Sequence, residues 1–127
     1  MSAVTPKAGN HDQLPPLASR FVTVAALPWE KTRFPGVEAK TLLVDRETGL
    51  VTSLMKFAPN AKLPEHEHML IEQTYVLEGS RHVAWCPQGG LMLAIFQVPN
   101  KFFEADGRVT DSTGKDWQAA WGHALAG

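Results

Sequence analysis

Short apolar runs rich in β-branched residues, separated by turn residues, set the pattern of this chain. The clearest pair covers residues 38–45 and 50–57, and the turn-forming stretch 46–49 between them predicts a β-hairpin. In the second run, both the odd-numbered and the even-numbered positions include apolar side chains. This is typical of a strand that is covered on both faces, as in a two-layer sandwich or a barrel.

Three further runs are apolar and β-prone: residues 21–26, 75–78 and 91–98, the last of them preceded by the turn sequence of residues 87–90. Together with the hairpin they indicate an all-β domain, and a jelly-roll barrel fits this pattern. Tyr75, Met55 and Phe96 are candidates for the barrel interior, although any barrel needs such residues.

The last segment changes its hydrophobic period from that of a strand to that of a helix. Ser112 or Thr113 is the candidate cap at its start. Five apolar residues share one predicted helical face: Trp117, Ala120, Trp121, Ala124 and Leu125. The prediction is therefore an all-β fold with a short carboxy-terminal helix.

Length and charge set modest bounds. A chain of 127 residues with a formal net charge of −1 predicts one domain, and no nucleic-acid or membrane partner. Cys86 is the single cysteine, so no intramolecular disulfide can form. Residues 1–19 are polar and proline-bearing, which predicts a flexible arm before a domain of residues 20–127. Without a signal-peptide pattern, the expected location is cytoplasmic.

The most informative motif is His66-Glu67-His68, followed by Glu72 and Gly79. Two histidines at i and i+2 point to the same face of an extended strand, and a carboxylate of the same parity beyond a bend can join them around one cation. Imidazole nitrogen with carboxylate oxygen suits iron, zinc, manganese, nickel or copper. The motif therefore predicts a site for one divalent transition metal.

The stretch from Asn60 to Gly79 resembles the first conserved motif of the cupin superfamily. That motif runs glycine, five residues, His-x-His, three or four residues, Glu, six residues, glycine. The spacing matches throughout, with Asn60 in place of the first glycine, and Asn tolerates the left-handed turn conformation. Flanking features are similar to the ChrR-like branch of cupins over most of residues 22–100: Leu27-Pro28-Trp29, Lys40, Phe57-Ala58-Pro59 and residues 75–80.

The resemblance implies a third histidine ligand from a second motif, and His82 matches it through Gly79-Ser80-Arg81-His82. Cys86 stands where that motif usually has asparagine. Cupins place at least two or three strands between the two motifs, and these are missing here. Three explanations remain open: an even-numbered loss of strands, a strand supplied by a partner subunit, or a sequence that omits an internal stretch.

The ChrR-like branch implies two functions. One is a metal-dependent dioxygenase that cleaves a small diketone or aromatic ketone. His66, His68 and His82 would hold the metal, for which iron is expected, and Glu72 would ligate it or act as acid and base. The alternative is a non-catalytic metal-binding sensor. A degenerate barrel without metal is a third reading. Cupins commonly pair, so a homodimer is expected, with a small molecule as the other partner.

Overall fold

The computed structural model describes residues 3–9, 11–15, 18, 19, 21–70, 72–78 and 88–126. Its strands are β1 (Glu30–Lys31), β2 (Val37–Val44), β3 (Val51–Phe57), β4 (His66–Glu67), β5 (Glu72–Glu78), β6 (Gly90–Phe96), β7 (Lys101–Phe103) and β8 (Val109–Thr110). The helices are α1 (Trp117–Trp121) and three short 3-10 helices, His11–Gln13, Val24–Ala26 and Gly122–Leu125. The predicted all-β class with a short carboxy-terminal helix is confirmed.

Five strands form the larger sheet, in the order β1-β2-β3-β6-β5, and every neighbouring pair is antiparallel. The predicted hairpin of β2 and β3 is confirmed. Asp45 stabilises its turn, because its carboxylate accepts hydrogen bonds from the Glu47 backbone N–H at 3.1 Å and the Thr48 hydroxyl at 2.8 Å. Gly49 completes the turn at a φ of 76°, a conformation that glycine adopts without steric cost.

Strands β5 and β6 also pair antiparallel, with Glu72 opposite Phe96. They are connected through residues 79–89, of which residues 79–87 lie outside the described part of the chain. A short connection suits antiparallel neighbours and could not join parallel ones. Strands β5 and β6, which precede and follow the second motif, therefore run in opposite directions, and a short link can join them.

The smaller sheet has the order β4-β7-β8 and packs against the larger one through a shared core. Phe102 of β7 belongs to the same buried cluster as Val37 of β2 and Phe57 of β3, with Phe34 and Ala61 completing it. The Phe34 and Phe102 ring centroids are 4.9 Å apart. This core holds the two sheets together as a sandwich, and in the described residues the sheets do not join into one closed barrel.

A second buried cluster anchors the carboxy-terminal helix and confirms Trp117 and Trp121 as core residues. The Trp117 side chain is fully buried, and its Nε1–H donates to the Pro99 carbonyl at 2.7 Å. The helix cap is Asp116, which accepts from the Ala119 N–H at 2.8 Å. The prediction of Ser112 or Thr113 as cap was wrong, because α1 starts later and is only five residues long.

The predicted strand at residues 21–26 was also wrong, since Val24–Ala26 forms a 3-10 helix. Its Val24 carbonyl accepts a hydrogen bond at 2.8 Å from the ammonium of Lys40, a buried residue of β2. A buried lysine ammonium needs a hydrogen-bond acceptor close by. In an extended strand, the Val24 carbonyl would instead accept a hydrogen bond from a neighbouring strand.

The boundary between an arm of residues 1–19 and a domain of residues 20–127 stays a prediction. Within the arm, Val4 and Val44 exchange backbone hydrogen bonds of 2.9 and 2.8 Å. Thr5 is 3% exposed, and its hydroxyl donates to the Leu42 carbonyl at 2.7 Å, where β2 bulges. The arm therefore supplies a partner for a carbonyl that the bulge removes from the regular ladder.

Among the described residues, the helices are all too short to cross a lipid bilayer.

Candidate metal centre

His66 lies on β4 and reaches the site by way of a tight turn. Asn60 adopts a φ of 64° before it, the left-handed conformation expected for a residue in the glycine position of the motif. The His66 ring packs 5.1 Å from the Phe102 ring of the neighbouring strand β7. Its Nδ1–H donates to the Pro64 carbonyl at 2.8 Å. Because a carbonyl only accepts, the neutral imidazole keeps its lone pair on Nε2, where a metal can bind.

Glu72 lies at the start of β5, on the opposite sheet from His66. Its side chain is 15% exposed. The Thr74 hydroxyl donates to Glu72 Oε1 at 3.1 Å, and the Asn100 amide lies 3.5 Å from Oε2. Residues 72 and 74 share one face of the strand because side chains alternate. The carboxylate is thus oriented by its own strand and by the segment after β6.

His68 completes the group from the end of β4. Its side chain is 47% exposed, and its Nδ1 lies 2.6 Å from Glu72 Oε2. The ring centroids of His66 and His68 are 5.0 Å apart. One ligand atom from each of the two histidines and Glu72 can be chosen so that all three lie within 4.8 Å of one another. The structure therefore brings together the three ligands that the His-x-His motif predicted.

The donor set fits a divalent transition metal. Such ions bind nitrogen and oxygen at about 2.0–2.2 Å, so ligand atoms around a tetrahedral ion are separated by about 3.4 Å. Two imidazoles and one carboxylate also leave positions around the ion for further ligands. A metal here would connect the two sheets, because His66 and Glu72 belong to different ones.

A cavity of about 500 Å³ begins at this group and extends between the two sheets. His66 and Glu72 both line it, and Met55 and Phe96 are confirmed as interior residues. Tyr75 was predicted wrongly: its side chain is 51% exposed, because odd-numbered residues of β5 face away from Glu72. Large apolar side chains of the cavity wall include Phe34, Met55, Leu63, Met92, Phe96, Phe102 and Trp121.

The predicted third ligand, His82, lies outside the described residues, as does Cys86. Sequence reasoning missed three groups that orient the ligands: the Pro64 carbonyl, Thr74 and Asn100. The parity of Thr74 with Glu72 was a usable signal for one of them. Asn100 had none, because it lies 28 residues from Glu72 in sequence and meets it only through the fold.

The comparison with protein families agrees with this geometry. The family model of the ChrR Cupin-like domain matches residues 18–89, which is more than half of the chain. The chain belongs to this family. Its fold and the group of His66, His68 and Glu72 are those of a metal-binding cupin. No curated protein and no solved structure matches it.

Proposed function

We propose that this protein is a mononuclear metal-dependent dioxygenase that acts on a small carbonyl compound, a diketone or an aromatic ketone. One observation carries the proposal: His66 and Glu72 line the cavity between the sheets. A metal held by them would face this partly open, mostly apolar cavity. That is the arrangement expected of a catalytic metal rather than a closed structural one.

The residues have distinct roles in this proposal. His66 binds through Nε2, with its ring fixed by the Pro64 carbonyl and Phe102. Glu72 either ligates or holds a proton beside the bound carbonyl compound, and Thr74 keeps its carboxylate in place. His82 is proposed as a further ligand from its motif alone. A bound iron would polarise the carbonyl group and bring dioxygen to it.

Oxygen uptake tests the proposal. The protein is loaded with ferrous iron without air and then mixed with oxygenated buffer containing acetylacetone or acetophenone. We expect uptake that requires both iron and a carbonyl compound, at a rate that falls to background in His66→Ala. Stoichiometric metal without uptake on either compound would instead support the sensor function, for which zinc is the expected ion.

The hydroxyl of Thr74 gives a finer test of the ligand geometry. Thr74→Val keeps the side-chain shape and removes the hydrogen bond to Glu72, so we expect about tenfold weaker metal binding, the lower end of effects at residues that orient ligands. Competition with a chelating dye measures the affinity. Thr52→Val is the matched control, since Thr52 lies in the same sheet but on its other face: it pairs with Ile95 of β6, whereas Thr74 pairs with Ala94. Equal loss in both variants would contradict a role for Thr74.

A homodimer is also proposed. Among the described residues, strand β5 is an edge of the larger sheet, and Tyr75 and Leu77 on it are 51% and 57% exposed. Unpaired edges with exposed apolar side chains favour association. Light scattering on the eluting peak of a sizing column should give twice the mass of 13.9 kDa, and a peak at the single mass would refute the dimer.

A further inference from the structure

Five side chains form a continuous row that ends at the metal group. The ring centroids of His68 and His66 are 5.0 Å apart, and those of His66 and Phe102 are 5.1 Å apart. The next pair in the row, Phe102 and Phe34, is separated by 4.9 Å. Arg33 completes the row, because its guanidinium carbon lies 4.8 Å from the Phe34 centroid and 5.4 Å from the Phe102 centroid. Such spacings are typical of favourable ring–ring and cation–π contacts.

Arg33 lies between β1 and β2 of the larger sheet, and its guanidinium is held by residues in and near β8 of the smaller one. It donates to Glu104 Oε1 at 2.5 Å, to the Thr110 hydroxyl at 3.0 Å, and to the carbonyls of Asp111 and Ser112 at 3.0 and 3.3 Å. These bonds use four of the five N–H groups of the guanidinium and therefore fix its plane. Although Arg33 lines the cavity, its donors are directed to protein groups and not to a ligand.

Phe102 connects this cation to the metal ligand. It is 4% exposed and lies directly opposite His66 in the pairing of β4 with β7, so the two side chains leave the same face of the smaller sheet. The Pro64 carbonyl accepts from His66 Nδ1 and fixes one point of the imidazole. The tilt of the ring about that point depends on what packs against it, which is the Phe102 ring. The tilt in turn sets the direction of the Nε2 lone pair.

We infer that Arg33 is a positioning residue for the metal group: it holds Phe34 and Phe102 in place, and Phe102 sets the tilt of the His66 ring. The inference rests on the metal-binding part of the proposed function and not on the dioxygenase reaction. The charge of Arg33 by itself would act in the opposite direction, because a cation near the site repels a divalent metal. A positioning role therefore predicts weaker metal binding when Arg33 is replaced by a neutral side chain, whereas a role through charge predicts stronger binding.

Cobalt(II) is the probe for the test, because it takes the same nitrogen and oxygen ligands as other divalent transition metals and its visible absorption depends on ligand geometry. Titration of the full chain under nitrogen, in competition with a chelating dye, measures the affinity. We expect Arg33→Met to bind cobalt roughly 3- to 10-fold more weakly, as the loss of two cation–π contacts allows, and to change the visible spectrum. Arg33→Lys keeps the charge but lacks the planar fork, so it should resemble Arg33→Met.

Phe102→Leu tests whether Arg33 acts through Phe102. If it does, adding Arg33→Met to Phe102→Leu should change the cobalt affinity by less than a factor of about two. Arg108→Met is the matched control, because the Arg108 guanidinium pairs with Asp106 at 2.8 Å and is not part of the row of rings. It should keep the affinity and the spectrum of the parent. Melting curves show which variants are folded, and Arg33→Lys supplies the reading if Arg33→Met is not.

Cobalt binding by Arg33→Met that is as tight as in the parent, or tighter, would overturn the inference. A loss that is equally large with Phe102 and with leucine at that position would overturn it too, since Arg33 would then not act through the ring. A parent chain that takes up no cobalt would refute the metal site and the inference together. A parent that binds cobalt but shows no oxygen uptake in its iron form would refute only the dioxygenase function.

Discussion

The His66→Ala variant should bind metal at least about a hundredfold more weakly than the parent protein. Residues that merely orient a ligand change metal affinity by about 10- to 100-fold, so the loss of a ligand should cost more. His66 is the strongest choice for this test because its ring is already fixed, with Nδ1 bonded to the Pro64 carbonyl and Nε2 left for the ion. Elemental analysis by plasma mass spectrometry, on protein purified without added metal, measures how much metal each chain retains.

His123→Ala is the matched control. Its Nε2 lies 2.7 Å from the Arg46 carbonyl, and it belongs to the carboxy-terminal 3-10 helix, not to the metal group. We expect this variant to keep the metal content of the parent. His82→Ala belongs in the same series, since the cupin motif predicts a third histidine there, and it should also lose metal. Full metal content in His66→Ala would contradict the assignment of the site, whatever the result for His82.

The metal group could be predicted because its residues are close in sequence. Strand parity alone places His66 and His68 on one side, and the bend before Glu72 adds the carboxylate. The turn at Asn60 was predictable for a similar reason, as few other residues accept a φ of 64°. The β2–β3 hairpin likewise depends on a local pattern, two strand-like runs around a turn. Local rules were sufficient wherever local geometry decided the outcome.

Other features depend on contacts between distant residues. The run at residues 21–26 has strand-like composition, but Val24–Ala26 covers Lys40 instead of joining the sheet. Asp111 shows the same limit: its carboxylate meets Trp121 ten residues later, and its carbonyl meets Arg33, 78 residues earlier. Propensity scales describe neither contact, since tertiary packing overrides local preference. The cavity, which arises between two sheets, was beyond sequence reasoning for the same reason.

Asp111→Ala should lower the free energy of unfolding by about 3 kcal/mol or more at neutral pH. Asp111 is 4% exposed. Its carboxylate accepts hydrogen bonds from the Thr113 N–H and hydroxyl, the Lys115 N–H and Trp121 Nε1–H. Alanine would leave the buried Trp121 Nε1–H without an acceptor, at a cost of about 1–3 kcal/mol, and would also remove the acceptor of three partly buried donors. Urea denaturation monitored by tryptophan fluorescence and circular dichroism measures the change.

Two variants make this result specific. Asp111→Asn keeps the shape and one acceptor oxygen, so it should be destabilised less than Asp111→Ala. Asp106→Ala removes an exposed carboxylate, 2.8 Å from the Arg108 guanidinium, and should leave the midpoint nearly unchanged because surface ion pairs contribute little. If Asp106→Ala and Asp111→Ala lowered the midpoint equally, the stabilising role of the Asp111 hydrogen bonds would be refuted.

The same hydrogen bonds determine how stability depends on pH. Burial raises the pKa of the Asp111 carboxyl, but the hydrogen bonds from Thr113, Trp121 and Lys115 outweigh it and hold the pKa below its usual value. A carboxyl whose folded pKa is lowered stabilises the fold fully above its unfolded pKa, about 3.9, and loses that contribution as pH falls through the folded pKa. The difference in unfolding free energy between the parent and Asp111→Asn should therefore be constant from pH 7 to 5. It should shrink below pH of about 4, as the parent carboxyl takes up a proton that the amide cannot bind. A difference that stays constant down to pH 2 would show that Asp111 contributes through packing, not through its charge.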